Sequence, residues 1–151
     1  MASNDDYAAT ADRMMQDARV LERGGCYRNA CYLAGYVAEC TLKALLNVAT
    51  QKKHKSHDLQ SLHDLVGALV VSGNQLTSRY GNPALLAPTM LQQVDLPTTL
   101  KSGQIVNHCH WDPEHRYDGA RWGSAQTCKN YLREAEVIHD VIVQMTIDGV
   151  L

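Results

Sequence analysis

Apolar residues recur along this chain at the spacing of an α-helix, and no segment alternates convincingly with the period of two that a half-buried strand requires. The longest periodic run, Tyr27 to Leu46, reads YRNACYLAGYVAECTLKALL. One apolar stripe comprises Ala30, Leu33, Val37, Cys40 and Ala44, and a second comprises Tyr32, Tyr36, Leu42 and Leu46. A helix apolar over most of its circumference must be covered on several sides, so this one is expected at the centre of a bundle. Arg28, Glu39 and Lys43 fall on a mixed face of the same helix, beside Tyr32 and Tyr36.

Other helices are predicted around it. Tyr7, Ala11, Met14, Ala18 and Leu21 mark a first helix, opened by a capping arrangement of Ser3 with Asp6 and closed by Gly24-Gly25. So short a turn predicts antiparallel packing of the first two helices. A third helix is predicted from about Asp58 to Val71 on Leu59, Leu62, Leu65, Val66 and Leu69, stopped by Gly73-Asn74. Between residues 73 and 119 four prolines allow only short helices, near Leu76 to Tyr80, Ala84 to Gln93 and Leu96 to Ser102. The last long helix, from about Ser124 to Ile147, carries Cys128, Tyr131, Leu132, Ala135, Ile138, Ile142 and Met145. The expected class is all-α, an up-and-down bundle of four to five main helices.

Length and composition narrow the picture. A chain of 151 residues suits one domain with a real core. No apolar run approaches the roughly 20 residues of a membrane span, and the acidic, polar start MASNDDYAAT is unlike a secretory signal, so a cytoplasmic location is expected. Five cysteines without paired spacing point to reduced thiols. With a net charge of −2, any nucleic-acid contact must come from a local patch.

Several of these residues also stand in an ordered pattern. Ala30, Ala34-Gly35-Tyr36, Glu39 and Leu42-Lys43 resemble the second-helix signature of HEPN domains. His57-Asp58-Leu59 with Leu62, and Trp111-Asp112-Pro113 with Arg116-Tyr117, resemble later segments of that family in the same order. The resemblance implies a helical bundle, usually dimeric, commonly associated with nucleotides or RNA, and often encoded beside a nucleotidyltransferase as a toxin and antitoxin pair. Catalytic members are metal-independent ribonucleases whose Arg and His are separated by four to six residues near the start of the last long helix. Here Arg121-Trp122-Gly123 stands where that histidine should be. The sole match, Arg133 with His139, is placed about 120° apart around a helix rather than on one face. A non-catalytic module is expected; a ribonuclease toxin using Arg133 and His139 and a purely structural interaction module are the competing readings.

The candidate ligand-binding residues are Arg116, Tyr117, Lys43, Glu39 and His57. A guanidinium matches phosphate oxygens and a phenol ring offers a base a stacking surface, while Lys43 and His57 could add charge. Glu39, set among apolar groups, needs a partner: Lys43 four residues on, Arg28, a tyrosine hydroxyl or a basic group from another segment, of which Arg116 is the expected one. That pair could equally fix helix register as part of a buried polar network. His108-Cys109-His110 with His115 is rich in metal-ligand types but lacks a second pair at zinc spacing, and no metal or cofactor is expected. The run Lys52-Lys53-His54-Lys55 is either a solvated loop or a phosphate-contacting patch.

Overall fold

The structure, a computed structural model, describes residues 6–81, 111–117 and 122–151. Its elements are α1 (Tyr7–Arg23), α2 (Tyr27–Thr50), α3 (Leu59–Val71), α4 (Gln75–Tyr80), a 3-10 turn (Pro113–Tyr117) and α5 (Ala125–Ile147), with no strand among the described residues. The all-α expectation holds. The short helices expected at Ala84 to Gln93 and Leu96 to Ser102 lie outside the described residues, as do His108, Cys109 and His110.

Each long helix is delimited by local chemistry. Asp6 is the cap of α1, accepting from the Ala9 amide at 2.9 Å, while Ser3 lies outside the described residues. A carboxylate suits the positive helix end better than a hydroxyl does. Asp58 caps α3 and Ser124 caps α5 in the same manner. Three helices close alike: Cys26 N donates to Leu21 O, Asn74 N to Leu69 O, and Val150 N to Met145 O. In each, the glycine between takes a positive φ, 75° at Gly25, 85° at Gly73 and 75° at Gly149, which spares a Cβ clash.

The central helix is α2, against which α1, α3, α4, α5 and the 3-10 turn all pack. Lys43 near the end of α2 lies over the ring of Tyr7 at the start of α1, so these two helices run antiparallel as their short turn predicts. A hydrogen bond between His139 Nε2 and Asp12 and an ion pair of Arg19 with Glu136 join α1 to α5. Of the α2 positions, fourteen are buried, among them Ala30, Ala34, Val37, Ala38, Leu45 and Leu46. The whole predicted stripe of α5 is buried as well. On α3 the buried face is narrower than expected: Leu59, Leu62 and Val66 face the core while Leu65 is exposed, because α2 and α4 cover only one side of this helix.

Cys31 and Cys128 meet across the α2–α5 contact, and Cys40 lies between α1 and α5. Burial raises all three thiols, to about 11 at Cys40 and Cys128, so at neutral pH they pack as small apolar groups. The four described cysteines are free, with Cys26 exposed. Among the described residues, no helix is long and apolar enough to cross a membrane.

Candidate functional site

Four residues of α2, Tyr32, Tyr36, Glu39 and Lys43, share one face because their spacings of four, three and four each return close to a full turn. Both charged members are buried, Glu39 at 3% and Lys43 at 5% relative exposure. Lys43 Nζ donates to Glu39 Oε2 at 3.2 Å, and the same ammonium faces the Tyr7 ring. His57, from the loop before α3, brings Nδ1 to 3.1 and 3.2 Å of the two Glu39 oxygens. A carboxylate only accepts, so Nδ1 carries the hydrogen and Nε2 is left as the other ring nitrogen of a side chain that is 61% exposed.

The expected pair of Glu39 with Arg116 is not formed. Arg116 sits in the 3-10 turn, and its Nη1 donates to the Tyr32 hydroxyl at 2.7 Å while Nη2 donates to the Tyr117 hydroxyl at 2.5 Å. Glu39 lies seven residues, about 10 Å, further along α2 than Tyr32, and its oxygens already hold Lys43 and His57. Tyr36 stands between the two groups: its hydroxyl accepts from Tyr32 at 3.4 Å, and it feels both Glu39 and Arg116 electrostatically. Burial and the Tyr32 bond hold its phenol well above the ordinary tyrosine range. Arg28 does not join this face either. It lies eleven residues, about 16 Å, from Glu39, exposed and beside Gly123 in an open surface cavity at the α1–α2 turn.

What seats the 3-10 turn is aromatic packing that the pattern of apolar positions does not reveal. Trp111 lies directly over Gly35, where an added Cβ would come within 1.9 Å of the indole. The glycine of Ala34-Gly35-Tyr36 is therefore a seat for a ring. Trp122 stacks on Trp111 at 6.5 Å with a 9° interplanar angle, and Tyr32, Tyr36 and Tyr131 border the two rings. Trp122 reaches this position at φ 63°, a left-handed backbone that a bulky residue adopts only when its surroundings hold it there. The cluster places Arg116 and Tyr117 at the surface, with Tyr117 76% exposed.

Arg116 thus has two of its five N–H donors on neutral phenols, which raises its pKa, and forms no ion pair with a carboxylate among the described residues. Its guanidinium also faces the rings of Tyr117 at 4.6 Å and Tyr32 at 5.6 Å. The candidates therefore divide. Arg116, Tyr117 and His57 face solvent, whereas Glu39 and Lys43 lie behind them, so Lys43 cannot supply charge to a bound ligand as expected from sequence. On α5, Arg133 is exposed, and His139 is mostly buried and tied to Asp12 of α1. Among the described residues, no group of three or more His, Cys, Asp or Glu could hold a metal ion.

The fold and this face define a small helical bundle whose central helix carries an internal ion pair and holds, through Tyr32, an external arginine from the 3-10 turn. A family model, the HEPN domain, matches residues 5–82, just over half of the chain, and the chain belongs to that family. The match spans α1 to α4 with Glu39, Lys43 and His57, and stops before Arg116 and Tyr117. No curated protein and no solved structure matches the chain.

Removing one member of a buried ion pair strands the other. Glu39→Gln is expected to lower stability by about 3–5 kcal/mol in chemical denaturation, and Glu39→Leu with Lys43→Met together to recover most of that loss. If Glu39→Gln is within about 0.5 kcal/mol of the parent, the pair does not hold the fold.

Proposed function

We propose that this HEPN domain is a non-catalytic module that binds nucleotides or RNA through Arg116 and Tyr117. The observation carrying this reading is the state of Arg116. Its guanidinium is fixed by two phenols that orient it without neutralising it, and among the described residues no other group takes its three remaining donors, which suit an anion. A phosphate is the anion this fork suits, and the exposed Tyr117 ring beside it offers a base a stacking surface. His57, held by Glu39, adds an imidazole on the same side of α2. The ribonuclease reading gains no support from His139, whose ring is occupied by Asp12.

Titration calorimetry with adenosine monophosphate tests the reading. Arg116→Ala is expected to weaken binding roughly 10- to 100-fold, the loss of one or two charge-assisted hydrogen bonds, with Arg116→Lys recovering only part of it. Unchanged affinity in Arg116→Ala, or no binding by the parent at millimolar nucleotide, contradicts it.

The same reading has the domain act as a dimer joined through a helical face, for which α5 offers exposed Val143 and Ile147, one turn apart. Light scattering at micromolar concentration is expected to give twice the 16.7 kDa chain mass; the mass of a single chain overturns the dimer.

A further inference from the structure

Two of the buried cysteines face each other. Cys31 of α2 and Cys128 of α5 are free and wholly buried, and their thiols interact across the contact between the two helices. The positions around them are small: Ala34 and Ala38 share the face of Cys31 on α2, and Ala135 lies two turns beyond Cys128 on α5. Packed helices keep their axes about 8–10 Å apart, and small side chains at the contact favour the lower end. With Cα atoms about 2.3 Å from each axis, facing Cα atoms come to roughly 3.5–5.5 Å, which overlaps the roughly 4.4–6.8 Å that a disulfide spans.

The pair lies close behind the surface. A cavity of about 210 Å³ lined by Glu22, Tyr27, Ala125, Gln126 and Lys129 opens at the same level. Tyr27 is one turn before Cys31, Ala125 is nearly one turn before Cys128, and the Glu22 carboxylate acts electrostatically on both thiols. Helix ends open more readily than helix middles, so fraying of the first turn of α5 connects this cavity with the sulfurs. Cys31 directly precedes Tyr32, which holds Arg116, and Cys128 follows Trp122 at the start of α5. A bond between the two sulfurs would fasten the aromatic seat of the 3-10 turn from behind.

We propose that Cys31 and Cys128 form a redox-controlled tether between α2 and α5, closed by thiol–disulfide exchange with a small disulfide of the glutathione type. The first thiolate attacks one sulfur of glutathione disulfide and releases one reduced glutathione; the second attacks the resulting mixed disulfide and releases another. The S–S bond thus passes from glutathione to the protein, and the two protons pass to the two glutathione thiolates. Burial keeps both thiols protonated in the closed bundle, so exchange runs through the opened first turn of α5.

Incubation of the folded chain with oxidised glutathione, followed by alkylation and peptide mapping by mass spectrometry, tests the tether, with exposed Cys26 as internal control. The expected product is a Cys31–Cys128 disulfide that dithiothreitol reverses. Because this bond closes a loop of about 100 residues, the midpoint of thermal unfolding is expected to rise by at least about 5 °C over the reduced chain. Cys31→Ala and Cys128→Ala, treated alike, are each expected to lose both changes, and Cys40→Ala neither. Recovery of Cys31 and Cys128 as alkylated free thiols, after incubation long enough to convert Cys26 to its glutathione adduct, overturns the tether. So does pairing of either with another cysteine, or a Cys31–Cys128 bond that leaves the midpoint unchanged.

Discussion

A buried carboxylate and a buried ammonium on consecutive turns of α2 set the terms for the rest of this structure. Glu39 and Lys43 lie in a helix covered on several sides, where neither could remain charged alone. Their mutual bond uses part of Glu39's hydrogen-bonding capacity, and the remainder captures His57. That capture directs the chain after α2 back along its own helix before α3 can start. An electrostatic requirement inside the bundle therefore fixes the path of a loop on its surface.

The division between inside and outside organises the candidate site. On the inner side, Glu39 satisfies Lys43 and His57 and has no capacity to spare for Arg116. On the outer side, Arg116 is held by Tyr32 and Tyr117 on a turn seated by Trp111 over Gly35. Had Glu39 bound Arg116, the guanidinium charge would be neutralised in the structure. Holding it with phenols keeps its position and its charge together, and this supports the proposal that the outer face meets an anion.

The helices were largely legible in the sequence. The ends at Gly24-Gly25 and Gly73-Asn74, and the buried stripe of α5, follow from local rules of periodicity and capping. The HEPN resemblance rested on residues 30 to 62 and on 111 to 117, and the family match covers the first of these segments. Of the two partners of Glu39, Lys43 was legible from its i, i+4 spacing and His57 was not; angular arithmetic also puts Arg28, Tyr32 and Glu39 on one face but ignores their axial separation, which sets Arg28 about 16 Å away. His57 was noted as a charge, and only the return of the loop makes it Glu39's partner. The seating of Trp111 was equally hidden, although a glycine between Ala34 and Tyr36 in an otherwise bulky helix was a signal that something approaches closely there. The burial of Lys43 follows from contacts with Tyr7 that no local pattern encodes.

The central claim is that the cations of this face have separate duties, Lys43 holding the fold and Arg116 meeting the ligand. Side-chain nitrogen NMR during titration with a four-nucleotide oligouridylate tests this most directly, because both groups are observed in one sample. The account predicts that the Arg116 guanidinium signals shift progressively with added oligonucleotide while the Lys43 ammonium signal stays in place. Movement of Lys43 with Arg116 unaffected would contradict it.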